Sequence, residues 1–313
     1  MSWLAQAPAN IALIKYMGKQ DEQSNIPGNA SLSYTLSNLI TKVQMNTIAD
    51  TEDKWQPLND FGASTFTLSE SAQKRFLNHL SRIKNHFSYS GSFLVQSNNN
   101  FPHASGLASS ASSFAALTKC AVSALSDLTQ KPVLSLAEQA QLSRQGSGSS
   151  CRSFFSPWAI WQETEVGPIE LPYQNLLHKV IVVNNQEKEV SSSEAHKRVK
   201  TSPFYPERSI KAEQHLVRLM QALQIEDWNS AYQICWQEFQ DMHQLFSTSS
   251  QPFSYITHES VQVLERLQNF WQQHKNGPIV TMDAGPNIHL LFRPDQAALA
   301  QLVIQEVGHY EVL

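Results

Sequence analysis

The alternation of apolar and polar positions predicts mostly strands in the first third of the chain. Up to about residue 100, short β-prone runs lie between polar loops, most clearly at Leu39–Met45 and Ser92–Gln96. The segment Ser71–His86 differs, because its apolar residues Phe76 and Ile83 stand at helical spacing. We therefore predict several strands and one early helix in this region.

The middle of the chain predicts two consecutive helices followed by buried strands. Apolar residues recur at helical spacing along Gly106–Leu125. A second helix is predicted to begin at Ser135, because Glu138 three residues later completes a capping-box signature. Two short apolar runs, Trp158–Trp161 and Lys179–Val183, have the pattern of buried strands.

The last third predicts long helices and then a return to strands. Residues 228–246 carry an aromatic and aliphatic stripe, which we interpret as core rather than as a cofactor-binding surface. Strands are predicted at Ile279–Met282 and Ile288–Phe292, followed by a helix from Asp295 and a strand near His309–Val312. Because helices and strands mix without regular alternation, the predicted fold class is α+β.

Length and composition favour a globular protein of two domains. The chain has 313 residues, and we place the predicted domains at 1–176 and 177–313. The formal net charge of −4 is too balanced to predict a nucleic-acid partner. No apolar run reaches the ~18 residues of a membrane span, so we expect no membrane association. The N-terminus lacks the basic start of a secretory signal, which predicts a cytoplasmic location.

A loop of small residues precedes the first long helix of the middle region. Within Phe101–Ser113, Gly106 and neighbouring hydroxyl residues would let backbone amides approach an anion at a helix start. Ser109 or Ser110 could also provide a hydroxyl ligand for the Mg²⁺ that accompanies nucleotide phosphates. The same pattern suits an ordinary, closely packed helix start. No Walker A sequence occurs in the chain.

Three further segments carry candidate chemistry. Gly146–Arg152 combines two glycines and three serines with an arginine whose fork matches phosphate or carboxylate oxygens, although a surface turn has a similar composition. Lys15 and Lys19 bracket a tyrosine and a glycine. Asp283 stands at a predicted strand end before a Gly-Pro turn, where a carboxylate can accept a proton or simply shape the turn.

Taken together and in this order, these segments resemble the mevalonate diphosphate decarboxylase family of the GHMP superfamily of small-molecule kinases. Residues 7–19, 99–110, 146–152, 188–192 with 201–202, and 282–287 carry the resemblance. It implies an N-terminal domain like ribosomal protein S5 domain 2 and a C-terminal ferredoxin-like domain, with an active-site cleft between them. It also implies a homodimer.

The resemblance implies a carboxy-lyase that uses ATP and Mg²⁺. ATP would phosphorylate the 3-hydroxyl of mevalonate 5-diphosphate, and the intermediate would lose phosphate and CO₂ to give isopentenyl diphosphate. The order is chemically reasonable, because hydroxide is a poor leaving group, whereas phosphate can depart while the carboxylate electrons form the alkene.

The resemblance also assigns roles to residues of this sequence. Asp283 would orient or deprotonate the 3-hydroxyl, Lys15 would stabilise charge on the transferring phosphoryl group, and Arg152 would hold the acidic groups of the substrate. The remaining substrate-binding residues would be Asn10, Tyr16, Gly18, Lys19, Ser147, Gly148, Ser149 and Thr201. ATP would be bound by Ser97, Gly106, Ser109 and Ser110, with Ser110 as the metal ligand.

Four positions depart from what is usual in the family. Met17 stands in place of tryptophan, His103 in place of threonine, Ser113 in place of glycine and Ser150 in place of alanine. None of these changes removes a charged catalytic group, but Met17 and His103 are expected to reshape the cleft. An arginine that the family places before the first long helix has two candidates here, Lys74 and Arg75.

Two other functions are open at this point. One is a related kinase that phosphorylates the 3-hydroxyl of mevalonate or phosphomevalonate without decarboxylation. The other is a nucleotide-binding module that senses without turnover, because phosphate loops alone do not establish catalysis.

Overall fold

The computed structural model describes residues 1–59, 67–101, 109–184 and 188–313. The elements up to residue 168 are β1 (Ser2–Ile14), β2 (Lys19–Asp21), β3 (Ile26–Pro27), β4 (Ser31–Ile48), β5 (Lys54–Pro57), α1 (Glu70–Phe87), β6 (Ser92–Asn99), α2 (Ser109–Thr129), α3 (Leu136–Gly146), β7 (Trp158–Gln162) and β8 (Glu165–Pro168). Those after it are β9 (Leu177–Val182), α4 (Ser192–Arg198), α5 (Tyr205–Gln224), α6 (Trp228–Ser247), α7 (His258–His274), β10 (Ile279–Met282), β11 (Ile288–Phe292), α8 (Ala297–Val307) and β12 (Glu311–Val312).

The first sheet is built around the long strand β4. Its strand order is β5-β6-β4-β7-β8, and β1 pairs with β4 in antiparallel register from Ser2 opposite Asn46 to Ile14 opposite Leu32. The register shifts between Pro8 and Ala9. The proline therefore stands at an irregularity, where it is tolerated inside a strand.

Helices α1, α2 and α3 cover one face of this sheet. Phe76 and Leu80 of α1 pack with Phe114 of α2 in one buried cluster that includes strand residues of the sheet. Helix α3 begins as predicted, because Ser135 and Glu138 form the reciprocal hydrogen bonds of a capping box. These contacts close a core on that side of the sheet.

The second sheet has the order β10-β11-β9-β12. Strands β10 and β11 have the predicted bounds, Ile279–Met282 and Ile288–Phe292. The stripe on α6 is buried, as the core interpretation requires, and Phe239 shares a core cluster with Leu13 of β1 and Leu290 of β11. One continuous core thus joins the second sheet and its helices to the end of β1.

These elements confirm the predicted α+β class. Strand β8 ends at Pro168 and β9 begins at Leu177, so the expected domain boundary at 176/177 falls at the end of the connection between the two sheets. Among the described helices, none combines the length and apolar character needed to cross a membrane.

Candidate active site

A cleft lies where the end of β1, helix α1, the start of α2, the end of α3, helix α4 and the turn after β10 meet. Its volume is about 870 Å³. Its described lining includes eight cationic and two anionic side chains. They are Lys15, Lys19, Lys74, Arg75, Arg82, Arg152, Lys188 and Lys197, with Glu22 and Asp283. Because the whole chain has a net charge of −4, this positive charge is local, and it favours a polyanionic ligand.

Lys15 and Asp283 form an ion pair that faces this cleft. Lys15 directly follows β1 and Asp283 directly follows β10, so the ends of strands from the two sheets meet here. The Lys15 Nζ atom donates to Asp283 Oδ1 at 2.7 Å. The Lys15 side chain is 2% exposed, whereas that of Asp283 is 28% exposed. The carboxylate is therefore the member of the pair that a ligand reaches more easily.

The charges around this pair determine which form Asp283 takes. Burial tends to raise the pKa of Asp283, but the Lys15 ammonium, together with Arg152, holds it below the ordinary value of 3.8. Burial lowers the pKa of Lys15 below 10.5, while Asp283 opposes that effect. Asp283 is thus an ionised carboxylate at neutral pH and can accept a hydrogen bond or a proton.

Arg152 is held in place by buried side chains. It lies in the short 3₁₀ helix Gly148–Phe154 and is 3% exposed. Its Nε donates to Asn10 Oδ1 at 3.2 Å, and its Nη1 donates to Ser31 Oγ at 2.7 Å. Asn10 in turn donates to Ser149 O at 3.1 Å and Ser153 Oγ at 2.8 Å. Asn10 therefore ties strand β1 to the 3₁₀ helix and orients the guanidinium.

Tyr16 forms one wall of the cleft beside Gly148. A Cβ atom at position 148 would lie 2.8 Å from Tyr16 Cε1, so the close approach requires glycine. The Tyr16 ring centroid lies 4.4 Å from that of His196. Burial raises the pKa of Tyr16, so the group is a neutral phenol. Its hydroxyl is buried without a hydrogen-bond partner among the described residues, so it is a donor that a bound anion could use.

The turn after Tyr16 carries Gly18 and Lys19. Gly18 has a φ of +85°, and its amide donates to His196 Nδ1 at 3.0 Å. A Cβ at position 18 would lie 2.3 Å from the Tyr205 hydroxyl. The glycine is therefore required both by the backbone conformation and by the space available. Lys19 lines the cleft, and its Nζ lies 3.5 Å from Glu22 Oε2.

The N-terminus of α2 opens onto the same cleft. Ser109 and Ser110 line it, and Ser147 Oγ donates to Ser110 Oγ at 3.3 Å. Serine hydroxyls are hard oxygen donors of the kind that Mg²⁺ accepts alongside phosphates and water, so this helix start fits a nucleotide-bound magnesium ion. Gly106 and His103 lie outside the described residues.

Two residues predicted for the site are engaged elsewhere. Ser97 lies in β6, is 3% exposed, and its Oγ accepts a hydrogen bond from Trp55 Nε1 at 2.9 Å. Thr201 Oγ1 donates to Arg198 O at 2.7 Å and accepts from the Ser250 amide at 2.9 Å. Neither Ser97 nor Thr201 belongs to the described lining of the cleft.

Helix α1 contributes two arginines to the cleft: Arg75, one of the two candidates for the family's arginine, and Arg82, which was not assigned from the sequence. Arg75 Nη2 donates to Gly146 O at 2.9 Å, and Arg82 Nη1 donates to Gln145 O at 2.7 Å. These are carbonyls at the C-terminal end of α3, which the helix itself leaves without partners. The available signal was the polar face of α1, since residues 71, 74, 75, 78 and 82 recur at helical spacing and all line the cleft.

Two of the departures from the family pattern have a clear structural setting. Met17 is 3% exposed and packs in a small cluster with Met242, next to Ala284. Ser150 is fully buried, and its hydroxyl donates to Ser147 O at 2.6 Å. The extra hydroxyl at position 150 therefore stabilises the turn that leads to Arg152.

Comparison with known proteins gives consistent matches along the chain. Residues 7–168 match the Diphosphomevalonate decarboxylase-like N-terminal domain, and residues 179–310 match the Mevalonate 5-diphosphate decarboxylase C-terminal domain. The diphosphomevalonate decarboxylase of Ganoderma lucidum is 32% identical over 90% of this chain and 76% of that protein.

Solved structures agree with these matches. A mevalonate diphosphate decarboxylase from Legionella pneumophila superposes with a TM-score of 0.94 at 60% identity, covering 100% of both chains. A structure of MDDEF in complex with MVAPP, AMPPCP and magnesium has a TM-score of 0.89 at 29% identity, covering 100% of this chain and 95% of that one.

Proposed function

Because this chain belongs to the mevalonate diphosphate decarboxylase family, we propose how the residues of its cleft divide the steps of that reaction. The chain is a carboxy-lyase of the mevalonate pathway, which leads to isoprenoids. It converts mevalonate 5-diphosphate to isopentenyl diphosphate at the expense of ATP. The 3-hydroxyl is phosphorylated first, and the product of that step then loses phosphate and CO₂.

One observation carries the assignment of roles. The Lys15–Asp283 ion pair shares a single cleft with Arg152 and with the serines at the start of α2. Phosphoryl transfer to an alcohol that carries acidic groups needs three groups within reach of one another. They are a carboxylate near the hydroxyl, a fixed guanidinium for the acidic groups, and a helix start that binds phosphate.

Asp283 receives the hydrogen bond of the 3-hydroxyl and directs its oxygen toward the γ-phosphorus of ATP. The carboxylate suits this role because it is ionised and is the more exposed member of its ion pair. Lys15, fixed 2.7 Å from Asp283, lies close enough to stabilise charge on the phosphoryl group in transit. Phosphoryl transfer depends mainly on such positioning and charge stabilisation.

Arg152 binds the acidic groups of the substrate. Its guanidinium is already oriented by Asn10 and Ser31, so little conformational entropy is lost when it meets a carboxylate or phosphate. Tyr16, Gly18 and Lys19 hold the diphosphate end. Ser147, Gly148 and Ser149 do so beside Tyr16, where small side chains leave backbone groups accessible to phosphate oxygens.

ATP binds at the start of α2. Ser109 and Ser110 would contact its phosphates, and Ser110 would be the protein ligand of Mg²⁺. Gly106, which lies outside the described residues, is kept for the phosphates only as an expectation from the family. When bound, the metal neutralises charge on the phosphate oxygens. Ser97 and Thr201 are weaker candidates, because their hydroxyls serve Trp55 and Arg198 respectively. We retain Ser97 for ATP and Thr201 for substrate only as expectations from the family.

The reaction is tested by identifying products. Purified protein with mevalonate 5-diphosphate and MgATP should release ADP, phosphate, CO₂ and isopentenyl diphosphate in equal amounts. ADP released without CO₂ would instead indicate the kinase that stops at the phosphorylated intermediate. Comparison with mevalonate and with phosphomevalonate in parallel reactions measures the preference for the diphosphate.

The domain division at 1–176 and 177–313, a homodimeric state and a cytoplasmic location complete the proposal. The division is supported by the connection between β8 and β9. The homodimer rests on the resemblance, and the location remains an expectation from the sequence. Sedimentation at several protein concentrations tests the dimer, and fractionation of the source cells tests the location.

A further inference from the structure

A buried carboxylate lies behind the Lys15–Asp283 pair. Glu238 of α6 is 0% exposed, and its Oε1 accepts the hydrogen bond of the Lys15 main-chain amide at 2.9 Å. The Lys15 carbonyl accepts from Arg208 Nη2 at 2.8 Å and from Asn29 Nδ2 at 2.9 Å. Strand β1 ends at Ile14, so these side chains serve the peptide groups of Lys15 where the strand itself ends.

Glu238 is ionised by virtue of its partners. Arg208 forms an ion pair with both of its carboxylate oxygens, and His215 Nδ1 lies 2.7 Å from Oε2. Burial tends to raise the pKa of Glu238, but Arg208 and His215 lower it to about 2. His215, Glu238 and Asp241 also lie close enough to suggest a metal site. The Arg208 guanidinium already pairs with both oxygens of the Glu238 carboxylate, so we do not assign a metal there.

Helix α6 also contacts Asp283, the other member of the Lys15–Asp283 pair. His243 Nε2 donates to the main-chain carbonyl of Asp283 at 3.1 Å. Glu238 and His243 are five residues apart, which is less than one and a half helical turns. One rigid helix therefore fixes the backbone on both sides of the cleft: the residue after β1 and the residue after β10.

We propose that Glu238 is a positioning residue, which orients Lys15 through its main-chain amide and stabilises the protonated form of its side chain through its negative charge. The inference rests on the proposed role of Lys15 in phosphoryl transfer. Lys15 is buried, so an ammonium there needs nearby anions. The charged and titratable groups around Lys15 among the described residues are Asp283 on the turn after β10, Cys235, Glu238 and His243 on α6, and Arg208 on α5. Arg152, Lys188 and His289 act in turn on Asp283.

The sign of the expected effect follows from these charges. Glu238→Gln preserves the shape and an oxygen acceptor but removes one anion next to Lys15. It also leaves the Arg208 cation, which touches the Lys15 carbonyl, without its counter-charge. Both changes disfavour the protonated lysine, so the pKa of Lys15 should fall further. The alkaline limb of the pH profile of kcat should therefore move to lower pH by about one unit.

The test is a pair of pH profiles on the full-length enzyme. For Glu238→Gln we expect kcat at its optimum to fall about tenfold or more, KM for mevalonate diphosphate to change less than threefold, and the alkaline limb to shift downward. Asp241→Asn is the matched control. It lies one turn further along α6 and approaches His215 at 4.0 Å, but the described contacts of Lys15 do not include it. It should leave kcat and the alkaline limb unchanged.

A second variant separates charge from shape. In the double variant Glu238→Gln/Arg208→Met both charges are removed, so the alkaline limb should return toward that of the wild type while kcat stays low. An alkaline limb that does not move in Glu238→Gln, or that moves equally in Asp241→Asn, overturns the proposal.

A third variant covers the case in which Glu238→Gln does not fold. Arg208→Lys keeps both charges but cannot bridge Glu238 and the Lys15 carbonyl with one fork. It should lower kcat with an unchanged alkaline limb, and an unchanged kcat would contradict the positioning role. Product identification on the wild-type enzyme tests the proposed function separately, because its outcome does not depend on any Glu238 variant.

Discussion

Replacement of Arg152 by alanine gives a quantitative test of the substrate-binding proposal. Arg152 is 3% exposed, and the described hydrogen bonds to Asn10 and Ser31 use two of the five N–H groups of a guanidinium. Those two bonds fix the plane of the fork without using all of its donors. In Arg152→Ala an acidic group of the substrate would enter the cleft and lose its fixed partner.

The expected size follows from the burial of the site. Truncating one partner of a desolvated charge pair costs about 2 to 5 kcal/mol. At about 1.4 kcal/mol per decade, this predicts a KM for mevalonate diphosphate raised about 30-fold to several thousand-fold. Asn10 and Ser31 would also lose a buried partner, which costs stability, about 1 to 3 kcal/mol for each orphaned group.

The assay measures KM for mevalonate diphosphate at saturating MgATP, together with the thermal unfolding midpoint of each variant. Arg144→Ala is the matched control. Arg144 is also buried, at 8% exposure, but its Nη1 donates to the Thr164 carbonyl, and it is absent from the described lining of the cleft. Both variants should lose stability, whereas only Arg152→Ala should show the increase in KM. A folded Arg152→Ala protein with an unaltered KM would refute the placement of this arginine against the substrate.

Three further predictions follow from the same structure. Asp283→Asn should lower kcat by orders of magnitude while ATP still binds in isothermal titration, and an unchanged kcat would contradict the role proposed for Asp283. Gly148→Ala should raise KM for the substrate, because its Cβ would lie 2.8 Å from Tyr16 Cε1, whereas Gly167→Ala meets nothing within 4 Å and should leave KM unaltered. Burial lowers the pKa of His79 from 6.5 to about 3. Between these two pH values the unfolded chain binds a proton at His79 and the folded protein does not, so the free energy of unfolding falls as the pH drops from about 6.5 toward 3. His79→Gln should flatten the dependence of the urea midpoint on pH across that window, and an equally steep dependence would contradict this account.

The sequence pattern predicted those helices and strands whose bounds are set by residues close together in the chain. Strands β10 and β11 have the bounds expected from their short apolar runs, and α3 begins at the capping box of Ser135 and Glu138. The strand Ser2–Ile14 was not predicted as a strand. Its residues include four alanines, a proline and an asparagine, which favour strands poorly. It is held by pairing with β4, a contact between distant parts of the chain that no local window contains.

The site was predicted unevenly for a similar reason. Lys15, Arg152 and Asp283 lie on short motifs whose spacing can be recognised, and all three line one cleft. Arg75 could not be distinguished from Lys74 as the family's arginine, and Arg82 was not assigned, because the polar face of an amphipathic helix has the same pattern whether it borders solvent or a cleft. The distinction depends on which element covers that face, which is a property of the tertiary structure.

Glu238 shows what a local reading could still have found. It lies three residues after Cys235 and four before Met242, both on the buried stripe of α6, so its spacing places a carboxylate on the core side of the helix. A buried carboxylate is costly unless a cation and further hydrogen-bond donors accompany it. That position alone therefore indicates a buried polar network. The partners of Glu238 could not be inferred from spacing, because Arg208 comes from α5 and the Lys15 amide from the end of β1, more than two hundred residues earlier in the chain. An acidic residue on the apolar face of a helix is thus a reason to look for what it holds in place, and here it holds Lys15, for which we propose a role in phosphoryl transfer.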